Sequence, residues 1–296
     1  MLKKIMALSA AALLGLAGLT GCTAGEVGAN SSVPGTDTGK SGSGDTSTAA
    51  KLTGSLVMAG STSMEKVCGA LGEAFGDKHP ELTIDLQATG SGAAITALND
   101  GTAQIGNLSR AVKDSENPDG KYEAITIALD GIAIIVHKNN AADLTAEQLA
   151  SIFKKEVTNW KDVGGPDKAI TVIGRETGSG TRDGFEEVVK VKDACQYDAT
   201  LDSTGAVVAR VASDEGAIGY VSFASVGDGV KALKVGGVTP SESTIADKTY
   251  VIQRPFVQAY IKDTKDVRVQ AYIEFLKTDE AQKLIRDADL VPQKFW

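Results

Sequence analysis

Histidine and cysteine are scarce in this chain, which contains two histidines (His79 and His137) and three cysteines among 296 residues. Zinc sites and Cys/His enzymes take their ligands and nucleophiles from these residue types, so both classes are disfavoured. The Gly-x-Ser-x-Gly turn of many serine hydrolases does not occur in the sequence. We therefore expect a protein that is not an enzyme and that holds no metal or cofactor.

Basic and aromatic residues are also few. Lys and Arg total 30 against 38 Asp and Glu, which gives a net charge of −8, and aromatic residues make up 5%. An acidic chain has no electrostatic footprint for nucleic acid or for an anionic lipid surface, and so few aromatics disfavour a sugar-binding cleft. Any anion must be held by local dipoles and a few arginines, because the overall charge repels it.

The first 22 residues have the pattern of an export signal. The apolar run from Ile5 to Leu19 is shorter than the roughly 20 residues of a membrane span but suits a signal peptide. It ends in Leu-Thr-Gly-Cys, which resembles the lipobox of bacterial lipoproteins and implies lipidation (palmitate included) at Cys22. A secretory signal with a chance cysteine is the alternative. Two acyl chains on Cys22 would suffice for a stable membrane anchor.

Residues 23–50 are dominated by Ser, Thr and Gly. Such a segment buries too little apolar surface to offset its ordering entropy, so we predict a flexible linker with a reach of about 30 Å. The remaining cysteines, Cys68 and Cys195, are expected to stay free thiols, although export makes a disulfide chemically possible.

From Lys51 onward, strand-like and helix-like patterns alternate, which predicts an α/β fold with largely parallel strand pairing. Thr62 with Glu65, and Thr145 with Gln148, have the spacing of helix capping boxes. No internal repeat of fixed period is visible. Long strands are predicted at 124–137, which is mostly apolar, and at 250–261.

Three turns share one arrangement, in which a predicted strand is followed by Gly, Ser and Thr residues and then by a helix. They lie at 60–63 (Gly-Ser-Thr-Ser), 89–92 (Thr-Gly-Ser-Gly) and 175–182 (Arg-Glu-Thr-Gly-Ser-Gly-Thr-Arg). Helix N-termini offer unpaired N–H groups and partial positive charge, and glycine permits close approach of the backbone. Serine and threonine are also the favoured N-caps of any helix, so one such turn alone is weak support for an anion site.

These turns, together with Ile-Gly-Asn-Leu-Ser-Arg at 105–110, Gly-Ala-Ile-Gly-Tyr-Val at 216–221 and Arg-Pro at 254–255, resemble the phosphate-binding lipoproteins of bacterial Pst-type ABC transporters. The resemblance covers about residues 52–296. It implies the periplasmic-binding-protein fold (type II-like), with two α/β lobes joined by two crossover strands. The implied organisation is a discontinuous first lobe at 51–130 and 255–296, and a second lobe at 131–254.

The resemblance also implies that phosphate lies in the cleft between the lobes. Carried over position by position, the implied phosphate-binding residues are Ser61, Thr62, Ser91, Arg175, Ser179, Gly180 and Thr181, with Ser63, Ser109, Arg110 and Asp130 as further candidates.

One position departs from part of that family. Some members place an aspartate in the loop that corresponds to Ser109 and Arg110, where it accepts the proton of hydrogen phosphate; sulfate has no such proton to donate. Asp130 is a substitute acceptor in this chain, with a structural role as its alternative. Arg110 either contacts the anion or pairs with an acidic neighbour.

The sequence therefore predicts an exported, monomeric receptor, lipid-anchored at the outer face of the cell membrane, that binds inorganic phosphate and delivers it to an ABC permease. The alternatives are a receptor for another oxyanion, such as sulfate, molybdate or a phosphate ester, and an exported hydrolase. A hydrolase would need a metal cluster or an activated nucleophile.

Overall fold

The structure is a computed structural model, and its described residues are 51–140 and 143–296. The predicted leader, the linker and Cys22 lie outside them. Among the described residues, no helix combines the length and hydropathy that a bilayer span requires.

Ten strands and eight α-helices follow each other in the described part of the chain. The strands are β1 (Gly54–Gly60), β2 (Leu82–Ala88), β3 (Ile105–Leu108), β4 (Tyr122–His137), β5 (Thr171–Arg175), β6 (Ala199–Leu201), β7 (Ala217–Ser222), β8 (Val230–Ala232), β9 (Gln253–Ile261) and β10 (Val291–Pro292). The helices are α1 (Glu65–Lys78), α2 (Ser91–Asp100), α3 (Ala146–Phe153), α4 (Gly180–Val188), α5 (Thr204–Ala212), α6 (Glu242–Ala246), α7 (Val267–Leu276) and α8 (Asp279–Asp287).

The strands pair in the order β2-β1-β3-β9-β4-β7-β5-β6, with β8 and β10 also on β4. The α/β prediction is confirmed, but largely parallel pairing is correct only at the flanks. There β1 pairs in parallel with β2 and β3, and β5 with β6 and β7. The centre is antiparallel because β4 and β9, the two longest strands, run in opposite directions across the molecule.

Strand β4 changes partner along its 16 residues. Its first part, Tyr122 to Gly131, pairs with β9, and its second part, Ile132 to Val136, pairs with β7. The chain therefore passes from one group of strands to another inside a single strand.

Hydrophobic packing follows the same division. One set of buried clusters uses residues 52–128 and 256–290, which we call the terminal half, and includes Phe75, Phe256 and Leu276. The other set uses residues 132–252, the central half, and includes Phe153 and Trp160. Each half therefore has a hydrophobic core of its own. Each fully buried Leu or Phe in these cores contributes about 1.5–3 kcal/mol to the free energy of folding.

Candidate functional site

In the terminal half, the turns at 60–63 and 89–92 lie next to each other, because each follows the end of one of two paired parallel strands. Gly60, the last residue of β1, lies opposite Ala88 of β2 and Asn107 of β3. Its carbonyl accepts N–H bonds from Thr89 and Gly90, at 2.7 and 2.9 Å. A Cβ at position 60 would lie 2.1 Å from the Asn107 carbonyl oxygen, and φ there is +139°, so glycine is required. The turns after all three parallel strands consequently meet at one edge.

The central half has the same construction. Arg175 at the end of β5 lies opposite Leu201 at the end of β6. Helices α4 and α5 follow these strands, and each starts with a serine N-cap: the Ser179 hydroxyl accepts from the Arg182 N–H, and the Ser203 hydroxyl from the Ala206 N–H. Two helix N-termini therefore lie side by side at this edge, and their free N–H groups favour an anion.

Hydroxyl groups from the two edges meet in a buried cluster. Ser63 Oγ is 2.9 Å from Thr181 Oγ1 and 3.0 Å from Thr204 Oγ1. Thr62 Oγ1 is 3.0 Å from Thr204 Oγ1 and also accepts the Thr204 N–H. None of these four side chains is more than 9% exposed. Terminal and central halves are thus hydrogen-bonded through hydroxyls, which can both donate and accept.

Two further hydroxyls adjoin the N-terminus of α4. Ser91 Oγ is 3.3 Å from Ser109 Oγ and accepts the Ser109 N–H at 3.1 Å. A Cβ on Gly180 would lie 2.5 Å from Ser91 Oγ and 2.7 Å from Ser109 Oγ. Close by, the Gly92 N–H donates to the Gly178 carbonyl at 3.0 Å. We call these six side chains the hydroxyl cluster: Thr62, Ser63, Ser91, Ser109, Thr181 and Thr204.

Arg175 brings positive charge to the hydroxyl cluster. Its Nη1 donates to Thr204 Oγ1 at 3.2 Å, while Glu176 accepts from its Nε and Nη2 at 2.8 and 2.9 Å. The arginine is 2% exposed, and its backbone N–H donates to the Tyr220 hydroxyl at 3.2 Å. Burial raises the pKa of Tyr220, so that phenol stays neutral and can accept this bond. One edge of the guanidinium is therefore fixed and Nη1 faces the hydroxyls.

Two predicted ligands, Ser61 and Ser179, use their hydroxyls as caps. The Ser61 hydroxyl accepts the Ser63 N–H at the start of a short 3₁₀ turn, Thr62–Met64, and α1 begins only at Glu65. The predicted capping box at Thr62 is therefore wrong, because its hydroxyl bonds to Thr204 across the cleft. The box of Thr145 and Gln148 is confirmed.

Arg110 and Asp130 are held by charged partners. Arg110 donates to both Glu116 carboxylate oxygens at 2.7 Å, and its Nε is 3.0 Å from Asp183. Of its two predicted roles, the structure therefore shows pairing with acidic neighbours.

Asp130 belongs to β4, and its buried carboxylate contacts side chains of β7 and β9. It accepts from the Ser222 hydroxyl at 2.7 Å and from Arg254 at 2.9 and 3.0 Å. Burial raises the pKa of Asp130, and the charge of Arg254 opposes the rise. The role of Asp130 as acceptor for a phosphate proton stays a prediction.

Thr204 was missed at the sequence level, although it touches Arg175, Thr62 and Ser63. The signal was present: residues 202–205 read Asp-Ser-Thr-Gly between a short strand and a helix, the same arrangement as the other three turns. The strand is only three residues long, too short for an alternation pattern to identify.

These groups can hold a small oxyanion. Hydroxyls, helix N-termini and one guanidinium supply donors to an anion without a large net charge. In the described residues, no group of three or more His, Cys, Asp or Glu is placed to bind a metal. Cys68 and Cys195 are free thiols, as predicted, and burial raises the pKa of Cys68 to about 12.

Several known proteins are similar to this chain in sequence and in fold. A sequence model described as a PBP superfamily domain matches residues 45–280. The phosphate-binding protein PstS of Bacillus subtilis is 31% identical over 246 residues, which are 82% of each chain. PstS of Staphylococcus epidermidis is 32% identical over 260 residues, 81% of this chain and 79% of its own. The chain belongs to the PstS family of phosphate-binding proteins.

Solved structures of phosphate transport proteins have the same fold as this chain. A putative phosphate ABC transporter substrate-binding protein from Clostridium perfringens, solved with bound phosphate, has a TM-score of 0.78 and 36% identity over 81% of this chain and 100% of its own. An ABC-type phosphate transport receptor from Vibrio cholerae has a TM-score of 0.68 and 34% sequence identity, over 80% of this chain and 100% of its own. These relatives are binding proteins rather than enzymes, in agreement with the expectation for this chain, and their shared fold is the predicted periplasmic-binding-protein fold.

Proposed function

We propose that this chain is a lipid-anchored receptor outside the cytoplasm that binds inorganic phosphate in the hydroxyl cluster and delivers it to an ABC permease. The observation that carries the proposal is the meeting of hydroxyls from both halves at the N-termini of α2, α4 and α5, where one of them, the Thr204 hydroxyl, accepts from Arg175 Nη1. Family membership and the phosphate bound to the Clostridium perfringens relative support the choice of anion.

The proposed ligands are the seven residues that the family resemblance implies, together with two of the four further candidates and Thr204: Ser61, Thr62, Ser91, Arg175, Ser179, Gly180, Thr181, Ser63, Ser109 and Thr204. The other two candidates, Arg110 and Asp130, are left out of the proposed set because each is engaged by a charged partner. Bound phosphate would take over donors that now bond to one another. A hydroxyl or N–H loses little when it exchanges one acceptor for another, and a charged acceptor gives the stronger bond.

Two lobes with the predicted boundaries, 51–130 with 255–296 and 131–254, are part of the proposal. The separate cores support this division, as does the exchange of β4 partners between Gly131 and Ile132. Each lobe contributes part of the donor set, and only the closed arrangement uses both parts. Phosphate binding would therefore favour closure, which the permease could recognise.

The test is a calorimetric titration of the phosphate-stripped full-length protein with phosphate, sulfate, molybdate and a phosphate monoester at one pH. We expect phosphate to bind most tightly. Tight sulfate binding with none of phosphate would overturn the choice of ligand, and release of phosphate from the ester would indicate a hydrolase instead.

The anchor needs a separate test. Cys22→Ser should move the protein from the membrane fraction to the soluble exported fraction and abolish labelling by radioactive palmitate. Membrane retention of Cys22→Ser would contradict anchoring through that cysteine. Gel filtration of the soluble variant then checks the proposed monomeric state.

A further inference from the structure

A second contact crosses the cleft beside the hydroxyl cluster, and it is made of charges. Asp183, in the first turn of α4, has Oδ2 3.0 Å from Arg110 Nε and 2.6 Å from Lys113 Nζ. The Arg110 N–H is not aligned with Asp183 Oδ2 as in a hydrogen bond, so their contact is an ion pair. Arg110 and Lys113 belong to the terminal half and Asp183 to the central half. We call Arg110, Lys113, Glu116 and Asp183 the ion-pair strap.

The basic side of the strap is fixed within the terminal half. Glu116 accepts two bonds from Arg110 at 2.7 Å and the Lys113 N–H at 2.9 Å. Arg110 also donates to the Ala111 carbonyl at 2.9 Å. Burial alone would raise the pKa of Glu116, but these bonds outweigh it and hold the pKa below its usual range. The Arg110 guanidinium and the backbone of Lys113 are therefore held in place within the terminal half, independently of Asp183.

The strap is partly shielded from water. Side-chain exposure is 8% for Arg110, 19% for Glu116, 30% for Asp183 and 50% for Lys113. Ion pairs in such a setting are stronger than fully exposed ones, while salt still screens them. Two cations and two carboxylates leave no net charge, so the strap neutralises an acidic residue on the helix whose N-terminus faces the anion site.

We propose that Asp183 is a positioning residue, whose ion pairs with Arg110 and Lys113 hold the N-terminus of α4 against the Ser109 loop and stabilise the closed arrangement even without ligand. The contact joins residues of different halves and is made by side chains of the protein alone. Separation of the halves would break it, so the contact would shift the equilibrium toward the closed state. The link to phosphate rests on the proposed function. The strap would lengthen the residence time of phosphate by opposing reopening.

The test compares Asp183→Asn with the full-length protein, and Asp167→Asn serves as matched control because Asp167 pairs with Lys161 in an exposed ion pair at 3.2 Å. Stopped-flow kinetics should show phosphate dissociating about tenfold faster from Asp183→Asn at about 50 mM salt, and the difference should shrink at about 500 mM salt. Phosphate should dissociate from Asp183→Glu nearly as slowly as from the unmodified protein, because the carboxylate is kept. Asp167→Asn should leave the dissociation rate unchanged.

A second measurement does not depend on phosphate. The Gly92 amide bonds to Gly178 across the cleft, so its hydrogen exchange in ligand-free protein, followed by NMR, reports closure. Faster Gly92 exchange in Asp183→Asn supports the strap. Exchange and dissociation rates within twofold of the unmodified protein would overturn it. If no phosphate binds to any variant while Gly92 still responds to Asp183→Asn, the strap stands and the proposed function fails.

Discussion

The hydroxyl cluster and the ion-pair strap both join the terminal half to α4, yet they are built from opposite chemistry. The cluster has six hydroxyls, one of which accepts a hydrogen bond from Arg175, whereas the strap has two cations and two carboxylates. Hydroxyls that bond to each other can turn toward a ligand at little cost, but paired charges already satisfy one another. The cluster is therefore suited to recognition, and the strap to closure without a ligand.

The comparison also explains how an acidic protein can bind an anion. Carboxylates beside the cluster are paired with cations: Glu176 with Arg175, and both Glu116 and Asp183 with Arg110. Such pairing cancels local repulsion while the net charge of the chain remains negative. Removal of a paired cation should therefore weaken anion binding in two ways. The anion loses a hydrogen-bond donor, and the carboxylate that is left without its partner repels the anion.

Arg175→Ala should give the largest loss. It removes the charged donor to Thr204 and leaves Glu176 without its partner, so we expect phosphate to bind at least about 100-fold more weakly, or about 2.7 kcal/mol. Calorimetry measures the change. Arg210→Ala is the control, because Arg210 is an exposed arginine of α5 that also pairs with a nearby carboxylate, Asp214. Equal losses in the two variants would refute the placement of the site at Arg175.

Gly180→Ala tests how tightly the halves approach at the cluster. The new Cβ would lie 2.5 Å from Ser91 Oγ, and the strain of about 2 kcal/mol should weaken binding roughly thirtyfold. Gly205→Ala, at the start of α5, is matched to it because its Cβ would meet no heavy atom within 4 Å. Thermal unfolding should show both variants folded. Unchanged affinity in Gly180→Ala would mean that ligand does not bind in this closed arrangement.

Thr204→Val tests the residue that sequence reasoning missed. Valine keeps the shape of threonine and removes the hydroxyl that Arg175, Thr62 and Ser63 share. We expect about five- to tenfold weaker phosphate binding, near 1 kcal/mol, with little change in the free energy of unfolding. Thr200→Val, at the exposed position of β6, is the control. If Thr204→Val binds as tightly as the unmodified protein, the hydroxyl only fills space.

Local signals account for what the sequence predicted well. The alternation of strands and helices, the capping box at Thr145 and the hydroxyl-glycine turns depend on residues a few positions apart, where spacing and backbone geometry act directly. The positions of those turns at strand ends then bring them to a common edge, so most of the candidate site follows from the pattern and the family resemblance together.

The rest depends on partners that are distant in the chain. The capping role predicted for Thr62 was lost to Thr204, which lies 142 residues away, and Asp130 meets Arg254 across 124 residues. At Thr62 the distant partner prevails over the local preference. The Thr62 hydroxyl forms a buried hydrogen bond with Thr204, and the Ser61 hydroxyl caps the turn in its place. The antiparallel centre was missed for a similar reason: strand direction is set by chain topology and has no local signature.

Glu116→Gln should have the smallest effect, and it separates strap geometry from strap charge. Bonds from Arg110 and Lys113 hold the pKa of Glu116 low, so its contribution to stability is fully present above its unfolded-state pKa and is lost as pH falls through the folded-state value. With partial exposure discounted, urea unfolding should show a loss of about 0.5–1 kcal/mol at pH 7. At roughly pH 3, below the unfolded-state pKa of about 4.3, the loss should shrink, because this contribution decreases as the pH falls from the unfolded-state pKa toward the folded-state pKa. Glu123→Gln, on an exposed part of β4, should change neither value. A loss of the same size at both pH values would mean that Glu116 acts through packing and not through charge.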